Sequence, residues 1–248
     1  MSYQHSQSGF EYFLLGAQLI KTKGLKRFVF TPLAINLVLF ISAFIYLFGE
    51  MGSAIQAVID LIPDWFGFIK EGLVYVLWPL AVITGRLVFA LIFGTLANWI
   101  AAPFNGLLSE KVEAHLTGQP LGDADLIDAF KDIPRTLARE ARKLIYYMPR
   151  AVIFLVLFFV PVIGQVLWFL FNAWMMALQY IDYPFDNHKI GFTPMKKALR
   201  TNKTLTFQFG IMVSIFSLIP IVNFIVMPIA VCGGTALWVN EYKAKYAS

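Results

Sequence analysis

The chain has 248 residues, of which 58% are apolar and 14% are charged, and its mean hydropathy is +0.68. Soluble domains have about 45–50% apolar and about 25% charged residues, so a soluble fold would leave much of this apolar surface without a core to enter. Composition therefore argues against an ordinary soluble protein and favours a single membrane domain over residues 1–248. The net charge of +5 is modest and typical of cytoplasmic loops, so we expect no nucleic-acid partner.

The first segments predict a short interfacial helix followed by a membrane span. Residues 8–20 open with Ser8 and Glu11 at capping-box spacing and are too few to cross a bilayer, so we expect them to lie at its surface. Residues 28–48 carry no charge and match the roughly 20 residues that cross about 30 Å of hydrocarbon, which predicts span one. A basic cluster precedes this span: Lys21, Lys23, Lys26 and Arg27.

The next segments predict a second span between two polar stretches. Residues 51–69 lie in a net acidic segment with the apolar spacing of a surface-lying helix. Residues 72–104 contain one charge, Arg86, and at about 1.5 Å per residue they exceed the bilayer thickness, so we predict span two with an overhang. Residues 105–147 are rich in charge and are predicted to form helices outside the hydrocarbon, with Asp123, Asp125 and Asp128 near their middle.

Two long charge-free runs follow, at residues 151–181 and 204–240, and each contains a proline near its middle. Proline removes a backbone donor and disfavours helix in the residue before it, so a helix tends to end there and another to begin. We therefore predict two helical hairpins, with their turns at Pro161 and Pro220.

Loop charges indicate how deeply these hairpins enter the membrane. Residues 182–203 contain five Lys or Arg and two acidic residues, and the C-terminal tail carries Lys243 and Lys245. Basic segments favour the cytoplasm, so each run should return to the side that it left. The first run is too short for two full spans, which need about 40 residues, so half-depth hairpins are predicted. Proline-kinked single spans are the alternative and would place residues 182–203 outside.

Half-depth hairpins leave turn backbone groups at membrane depth. Such groups are tolerated where they are buried in protein or face water, so the hairpins imply oligomer contacts or a conduit. The predicted fold class is therefore an all-α integral membrane protein: two long transmembrane helices, two proline-broken half-penetrating hairpins, and amphipathic or extramembrane helices.

Two places in the sequence could bind an anion. Lys26 and Arg27 precede span one, where a helix N-terminus adds partial positive charge. The same pair could instead anchor the topology and reach lipid headgroups. Further on, Asn105 fits a helix N-cap that would leave backbone amides exposed to an oxyanion or to water. Those amides belong to Gly106, Leu107 and Leu108, and Glu110 close by would repel an anion.

Three other features have a functional and a structural interpretation. If Arg86 lies at mid-membrane depth, it is a candidate functional residue. If nearby Trp78 marks the membrane interface, Arg86 only reaches the headgroups and anchors the helix. Asp182, Asp186 and His188 could bind a metal or move protons, but their spacing matches no metal-site pattern, and a loop held by internal hydrogen bonds and ion pairs is favoured. The single cysteine, Cys232, lies in an apolar run and is predicted to be a buried packing residue.

Three segments resemble the CysZ-type sulfate permeases of bacterial cysteine biosynthesis. They are ANWIAAPFNGLL at 97–108, DYPFDNHK at 182–189 and MPIAVCG at 227–233, and the resemblance extends from about residue 9 to about residue 238. It implies sulfate transport in the bacterial inner membrane by a multi-pass protein that assembles with itself as a hexamer.

The resemblance also implies a sulfate site. Family members have an arginine pair before the first span and a Gly-Leu-Leu-Ala-Glu motif after the second. Here the first position is Lys26, which keeps the charge but loses the bidentate fork, and Ser109 replaces the alanine. The implied sulfate-binding residues are Lys26, Arg27, Gly106, Leu107 and Leu108, with Asn105, Ser109, Glu110 and Arg86 as supporting residues.

Sulfate offers only hydrogen-bond acceptors, and moving an unpaired ion into hydrocarbon costs tens of kcal/mol. Two spans per subunit cannot enclose a polar path, so we expect an oligomeric channel-like or ion-coupled pathway. Two alternatives are a regulatory or scaffolding subunit that binds anions without transporting them, and a membrane enzyme using Asp182, Asp186 and His188. The sequence has no Gly-x-x-x-x-Gly-Lys or Gly-x-Ser-x-Gly motif, and we expect no enzymatic activity, cofactor or metal.

Overall fold

The computed structural model describes residues 8–61, 67–119 and 133–247, and these ranges are helices joined by short turns. In chain order the described helices are α1 (Gly9–Leu19), α2 (Lys26–Asp60), α3 (Gly67–Leu116), α4 (Ile133–Phe158), α5 (Ile163–Asn187), α6 (Phe192–Thr201), α7 (Lys203–Ser217), α8 (Pro220–Glu241) and α9 (Lys243–Tyr246). The predicted all-α class is confirmed. The chain divides into unit 1, Met1–Thr31 with Ala102–Ser248, and unit 2, Pro32–Ala101.

Unit 2 contains the later part of α2 and the earlier part of α3. Its buried cluster is the stripe Met51, Ile55 and Ile59, which recurs every four residues and packs against Leu77, Ala81 and Val82 of α3. Within the described residues, one helical stretch, Leu37–Asp60, is long and apolar enough to cross a membrane, with a mean hydropathy of 1.8. The side chains at 90–103, in the later part of predicted span two, lie outside the described residues.

The predicted end of span one is not a helix end. We expected a span to stop at residue 48 and a separate interfacial helix to cover 51–69, but α2 continues without a break to Asp60. The physical reason is the stripe at Met51, Ile55 and Ile59, which reaches its partners on α3 only if the helical spacing is maintained.

Unit 1 is built around a core to which α1, α5, α7 and α8 contribute. Its largest fully buried side chains include Trp238, Tyr12, Phe185 and Phe209. Helix α1 begins with the predicted capping box, because the Ser8 hydroxyl accepts from the Glu11 N–H at 3.3 Å and the Ser8 N–H donates to the Glu11 carboxylate at 2.8 Å. Helix α1 packs on this core through its buried side chains, including Tyr12.

Helix breaks occur at both prolines. Helix α4 ends at Phe158 and α5 begins at Ile163, so Pro161 lies in the intervening turn, while Pro220 is the first residue of α8. The first hairpin, residues 151–181, closes through rings on its two legs: Phe154 stacks on Phe171 with centroids 4.6 Å apart. Gly164 permits the close approach, since a Cβ there would lie 2.0 Å from a carbonyl oxygen of α4.

The predicted loop at 182–203 is helical over most of its length. Helix α5 continues to Asn187, and α6 occupies Phe192–Thr201 after a short turn at residues 188–191. The predicted loop conformation was wrong because Asp182 and Asp186 bury their side chains against another helix, whereas the ion pairs predicted for this segment are present. The aspartates at 123, 125 and 128, which were predicted to lie in an extramembrane segment, fall outside the described residues.

Candidate functional site

The basic pair lies on the first turn of α2, at the surface of unit 1. The side chains of Lys26 and Arg27 are exposed, whereas the adjacent Leu25 and Val29 are buried at 0% and 5% exposure. The Arg27 guanidinium carbon lies 4.8 Å from the ring centroid of Phe28. Buried neighbours thus hold the turn in place while both cations stay accessible to an anion.

The predicted helix start at Asn105 is wrong. Helix α3 runs without interruption from Gly67 to Leu116, and the N–H groups inside such a helix bond to carbonyls four residues earlier. Asn105 is 5% exposed, and its amide donates to the Tyr183 hydroxyl at 3.2 Å and to the Met227 sulfur at 3.5 Å. Tertiary partners satisfy this side chain, so it does not cap a helix.

Residues 106–110 are fixed by contacts with α5 and α8. The carbonyl oxygen of Gly106 accepts from the Asn187 amide at 2.9 Å, and the buried Ser109 hydroxyl accepts from the Thr235 hydroxyl at 2.8 Å. Leu108 is 1% exposed, while the Glu110 carboxylate faces outward, 3.3 Å from the Lys111 ammonium. This turn of α3 is therefore held rigidly, with Glu110 as its exposed charge.

The structure places the basic pair and this turn in the same packed unit. Leu25 and Val29, which flank the pair, belong to one core cluster with Leu108 and Val112. Arg86 belongs to unit 2, where its side chain is exposed.

Asp182 lies at the centre of a group of ion pairs whose partners the sequence did not predict. Its carboxylate accepts from the Arg139 Nε at 3.0 and 2.9 Å and from Arg139 Nη2 at 2.6 Å, and it lies 3.2 Å from the Lys143 ammonium. The Asp186 carboxylate lies 3.1 Å from Arg139 Nη1 and also pairs with Arg135. Asp182 and Arg139 are 2% and 8% exposed, so this is a buried ionic cluster joining α4 to α5.

Burial and neighbouring charges act in opposite directions on this cluster. Burial disfavours the charged form of Asp182, but Lys143 and Arg139 outweigh it and hold the pKa of this carboxyl below its ordinary value. Burial likewise opposes the charge of Lys143, yet Asp182 and Glu140 raise the pKa of the ammonium above its ordinary value. Asp182 and Lys143 therefore stay ionised around neutral pH.

The remaining polar residues of this segment make structural contacts as well. His188 Nε2 lies 2.8 Å from the Glu113 carboxylate, which also lies 2.8 Å from the Lys243 ammonium and so ties α3 to α9. Within the described residues, no group of three His, Cys, Asp or Glu side chains is arranged to hold a metal. The structural interpretation of Asp182, Asp186 and His188 fits these contacts, because each of them is occupied by a protein partner.

A sequence signal for the cluster existed. Arg135, Arg139 and Lys143 are spaced by four and share one face of α4, and Asp182 and Asp186 are also spaced by four. Two helical faces of opposite charge are complementary, but nothing in the sequence says that they meet.

Comparison with known proteins settles the family. Residues 12–228 match the family model described as Sulfate transporter CysZ/Etoposide-induced protein 2.4. The chain belongs to this family. The resemblance found in the three sequence segments is thereby confirmed.

Three relatives share about half of their residues with this chain. The sulfate transporter CysZ of Pectobacterium atrosepticum is 51% identical over 243 residues, covering 96% of this chain and 87% of that protein. The sulfate transporter CysZ proteins of Salmonella paratyphi A and Salmonella typhimurium are 51% and 50% identical over 245 residues, covering 97% of this chain and 95% of each of those proteins. Membership of a CysZ transporter family, together with the apolar stretch Leu37–Asp60, places the chain in a membrane, and the chain is not an enzyme.

Proposed function

We propose that this protein transports sulfate across the bacterial inner membrane and so supplies sulfur for cysteine biosynthesis. The observation that carries the proposal is identity of about half over nearly the whole length of relatives named sulfate transporters. The continuous apolar stretch of α2 supports the membrane address.

Lys26 and Arg27 are the proposed sulfate-binding groups. Sulfate needs donors and positive charge, and these two side chains are exposed on a turn anchored by Leu25 and Val29. The first turn of α2 adds the partial positive charge of a helix N-terminus. Both cations thus act on an anion at one end of a long helix.

Gly106, Leu107 and Leu108 enter the proposal through family resemblance. Their N–H groups lie inside a continuous helix and can donate to sulfate only if that turn of α3 unwinds. Asn105 and Ser109 are buried with protein partners and would act by holding this turn, and the exposed Glu110 carboxylate would repel the anion. Arg86 stays a supporting residue that belongs to unit 2.

The length and the exposed apolar surface of the first hairpin support a half-depth insertion. After Arg150, exposed apolar side chains line α4 up to the tip, where Phe159 is 78% and Val162 is 77% exposed. The eight helical residues 151–158, at about 1.5 Å each, extend about 12 Å, which is a little under half of a hydrocarbon core of about 30 Å. This length supports a hairpin that enters and returns.

The hairpin turn also satisfies much of its own backbone. The N–H groups of Phe159 and Gly164 donate to carbonyls of Val156 and Val160 at 3.3 and 2.9 Å, and the Gln165 amide donates to the Phe158 carbonyl at 2.9 Å. Internal hydrogen bonds lower the cost of placing a turn in lipid. We propose that the hairpins of several subunits line the sulfate pathway in a homo-oligomer, which is a hexamer by resemblance.

Labelled sulfate uptake into proteoliposomes tests the transport proposal. Purified wild-type protein should move sulfate, and Arg27→Ala should lower uptake at low sulfate by about tenfold or more, because charged hydrogen bonds contribute about 1.5–3 kcal/mol. Lys23→Ala removes a nearby exposed cation outside the pair and serves as the matched control. Sulfate binding without uptake would instead indicate a regulatory or scaffolding subunit.

Topology is tested separately by labelling single cysteines at Lys189 and at Leu61, which lies just beyond the apolar stretch Leu37–Asp60; both positions are exposed. Half-depth hairpins place these two positions on opposite faces of the membrane. Labelling of both from one face would refute the proposed topology without bearing on sulfate transport.

A further inference from the structure

A basic groove of about 450 Å³ lies at the base of the first hairpin, and none of its lining residues belongs to the proposed sulfate site. Its lining combines three cations from α4 and α6 with two aromatic rings and the first residues of α6. The cations are Arg142, Arg150 and Lys196, and the rings are Tyr146 and Phe192. Neither the ionic cluster at Asp182 nor the sulfate proposal uses these side chains.

One tyrosine ring holds two of the cations near each other. The Arg150 guanidinium carbon lies 3.8 Å from the ring centroid of Tyr146, and the Lys196 ammonium lies 4.4 Å from the same centroid. The two positive groups are therefore no more than about 8 Å apart, which is within the screening length of about 8 Å at physiological salt. They repel one another at this range.

No carboxylate within the described part of the chain neutralises these charges. Arg150 donates to the Tyr146 carbonyl oxygen at 2.6 Å, which is a neutral acceptor. Within the described ranges, none of Arg142, Arg150 and Lys196 forms an ion pair with a carboxylate. An anion in the groove would relieve the repulsion and receive donors from both helices.

The surroundings of the groove point to the chemistry of that anion. Arg150 is followed at once by apolar side chains that the chain leaves uncovered, including Val152, Ile153 and Val156 at 57%, 59% and 67% exposure. A ligand bound here thus meets cations at one end and an apolar helix face at the other. Tyrosine and arginine at such a boundary are typical of the headgroup level of a membrane.

We propose that this groove binds the phosphate of an anionic phospholipid, whose acyl chains lie along the exposed face of the first hairpin. A free anion would satisfy the cations but not the apolar face, so a lipid fits the site better. The inference rests on the proposed insertion of the first hairpin and not on sulfate transport. A failed uptake assay would leave it standing, and a failed lipid assay would leave transport standing.

Native mass spectrometry of the purified full-length chain, titrated with phosphatidylglycerol or with phosphatidylcholine of the same acyl chains, tests the assignment. Arg150→Gln with Lys196→Gln should weaken phosphatidylglycerol binding by about 25-fold, at about fivefold per basic charge, and leave phosphatidylcholine binding unchanged. Lys197→Gln with Arg200→Gln removes two exposed charges of α6 outside the groove and should change either affinity less than about twofold.

Three results would overturn the proposal. The first is equal phosphatidylglycerol binding by wild type and by the Arg150→Gln, Lys196→Gln variant. The second is an equal loss in the Lys197→Gln, Arg200→Gln control, which would indicate a diffuse charge effect. The third is displacement of the lipid by an equal concentration of inorganic sulfate or phosphate, which would make the groove a free-anion site.

A charge-preserving variant keeps the test decisive if the neutral variant does not fold. Arg150→Lys with Lys196→Arg retains both charges and should bind phosphatidylglycerol within about threefold of wild type. In wild type, raising salt from about 50 to about 500 mM should weaken phosphatidylglycerol binding and spare phosphatidylcholine. Salt-independent binding would contradict an electrostatic site.

Discussion

Replacing Asp182 by asparagine should destabilise the protein strongly. The carboxylate is 2% exposed and neutralises Arg139 and Lys143 at once, so Asp182→Asn leaves two buried cations with less compensation. Breaking a buried ion pair by removing one partner costs about 3–5 kcal/mol of unfolding free energy. At about 2–4 °C per kcal/mol for a chain of this size, the unfolding midpoint should fall by about 6–20 °C.

Thermal unfolding of the detergent-purified protein, followed by circular dichroism, measures this change. A second substitution separates charge imbalance from lost contacts, because Lys143→Met removes one of the two buried cations left by Asp182→Asn. The loss of stability in the double variant should therefore be smaller than the sum of the two single losses, by at least about 1 kcal/mol. Asp60→Asn, at an exposed carboxylate of α2, is the control and should stay within about 0.5 kcal/mol of wild type.

The pH dependence of this loss has a definite sign. The pKa of Asp182 is lowered in the folded protein, so its contribution is complete above the unfolded pKa of about 3.9 and is lost as the pH falls through the folded value. The difference between wild type and Asp182→Asn should therefore be constant between about pH 5 and about pH 8. A midpoint within about 2 °C of wild type at neutral pH would refute the assigned role of the cluster.

Three further outcomes are expected. Gly16→Leu should destabilise unit 1 by several kcal/mol, because a Cβ at Gly16 would lie 2.2 Å from a carbonyl oxygen of α8. Gly49→Leu should be tolerated, because a Cβ at Gly49 would lie in open space, and thermal unfolding compares the two variants. Gln165→Leu leaves the Phe158 carbonyl without its side-chain donor and should cost about 1–3 kcal/mol in lipid nanodiscs, with an unchanged midpoint counting against the self-satisfied turn. Cys232 should resist a water-soluble thiol reagent until the protein is unfolded in strong detergent, since its side chain is 0% exposed; rapid labelling of the native protein would contradict the packing of α8.

Several features of this chain depended on local chemistry, so they could be predicted without a structure. Proline removes a backbone donor and disfavours helix in the residue before it, and helices end or begin at Pro161 and Pro220, although Pro149, Pro184 and Pro228 lie inside helices. Ser8 and Glu11 contact each other across a single turn, so their spacing was enough to predict a capping box. The all-α class and the family followed from composition and from segments contiguous in sequence.

Other features depended on residues far apart in the chain, and local reasoning failed on them. A polar residue before a glycine is a good N-cap in isolation, but Asn105 finds partners on α5 and α8, so α3 continues through it. The acidic and basic residues at 182–203 predicted a loop held by internal hydrogen bonds and ion pairs; ion pairs are present, but the segment is largely helical and the partner of Asp182 is Arg139 of α4.

The sequence by itself determined that this chain is helical, belongs in a membrane and is interrupted at two prolines, because each of these depends on hydropathy or on neighbouring residues. Only the tertiary structure decided that the Arg139 face of α4 neutralises Asp182 on α5, and that Arg150 and Lys196 converge on one tyrosine ring. Burial and pairing of charges depend on which helix faces meet, and distant segments establish that only when the chain packs.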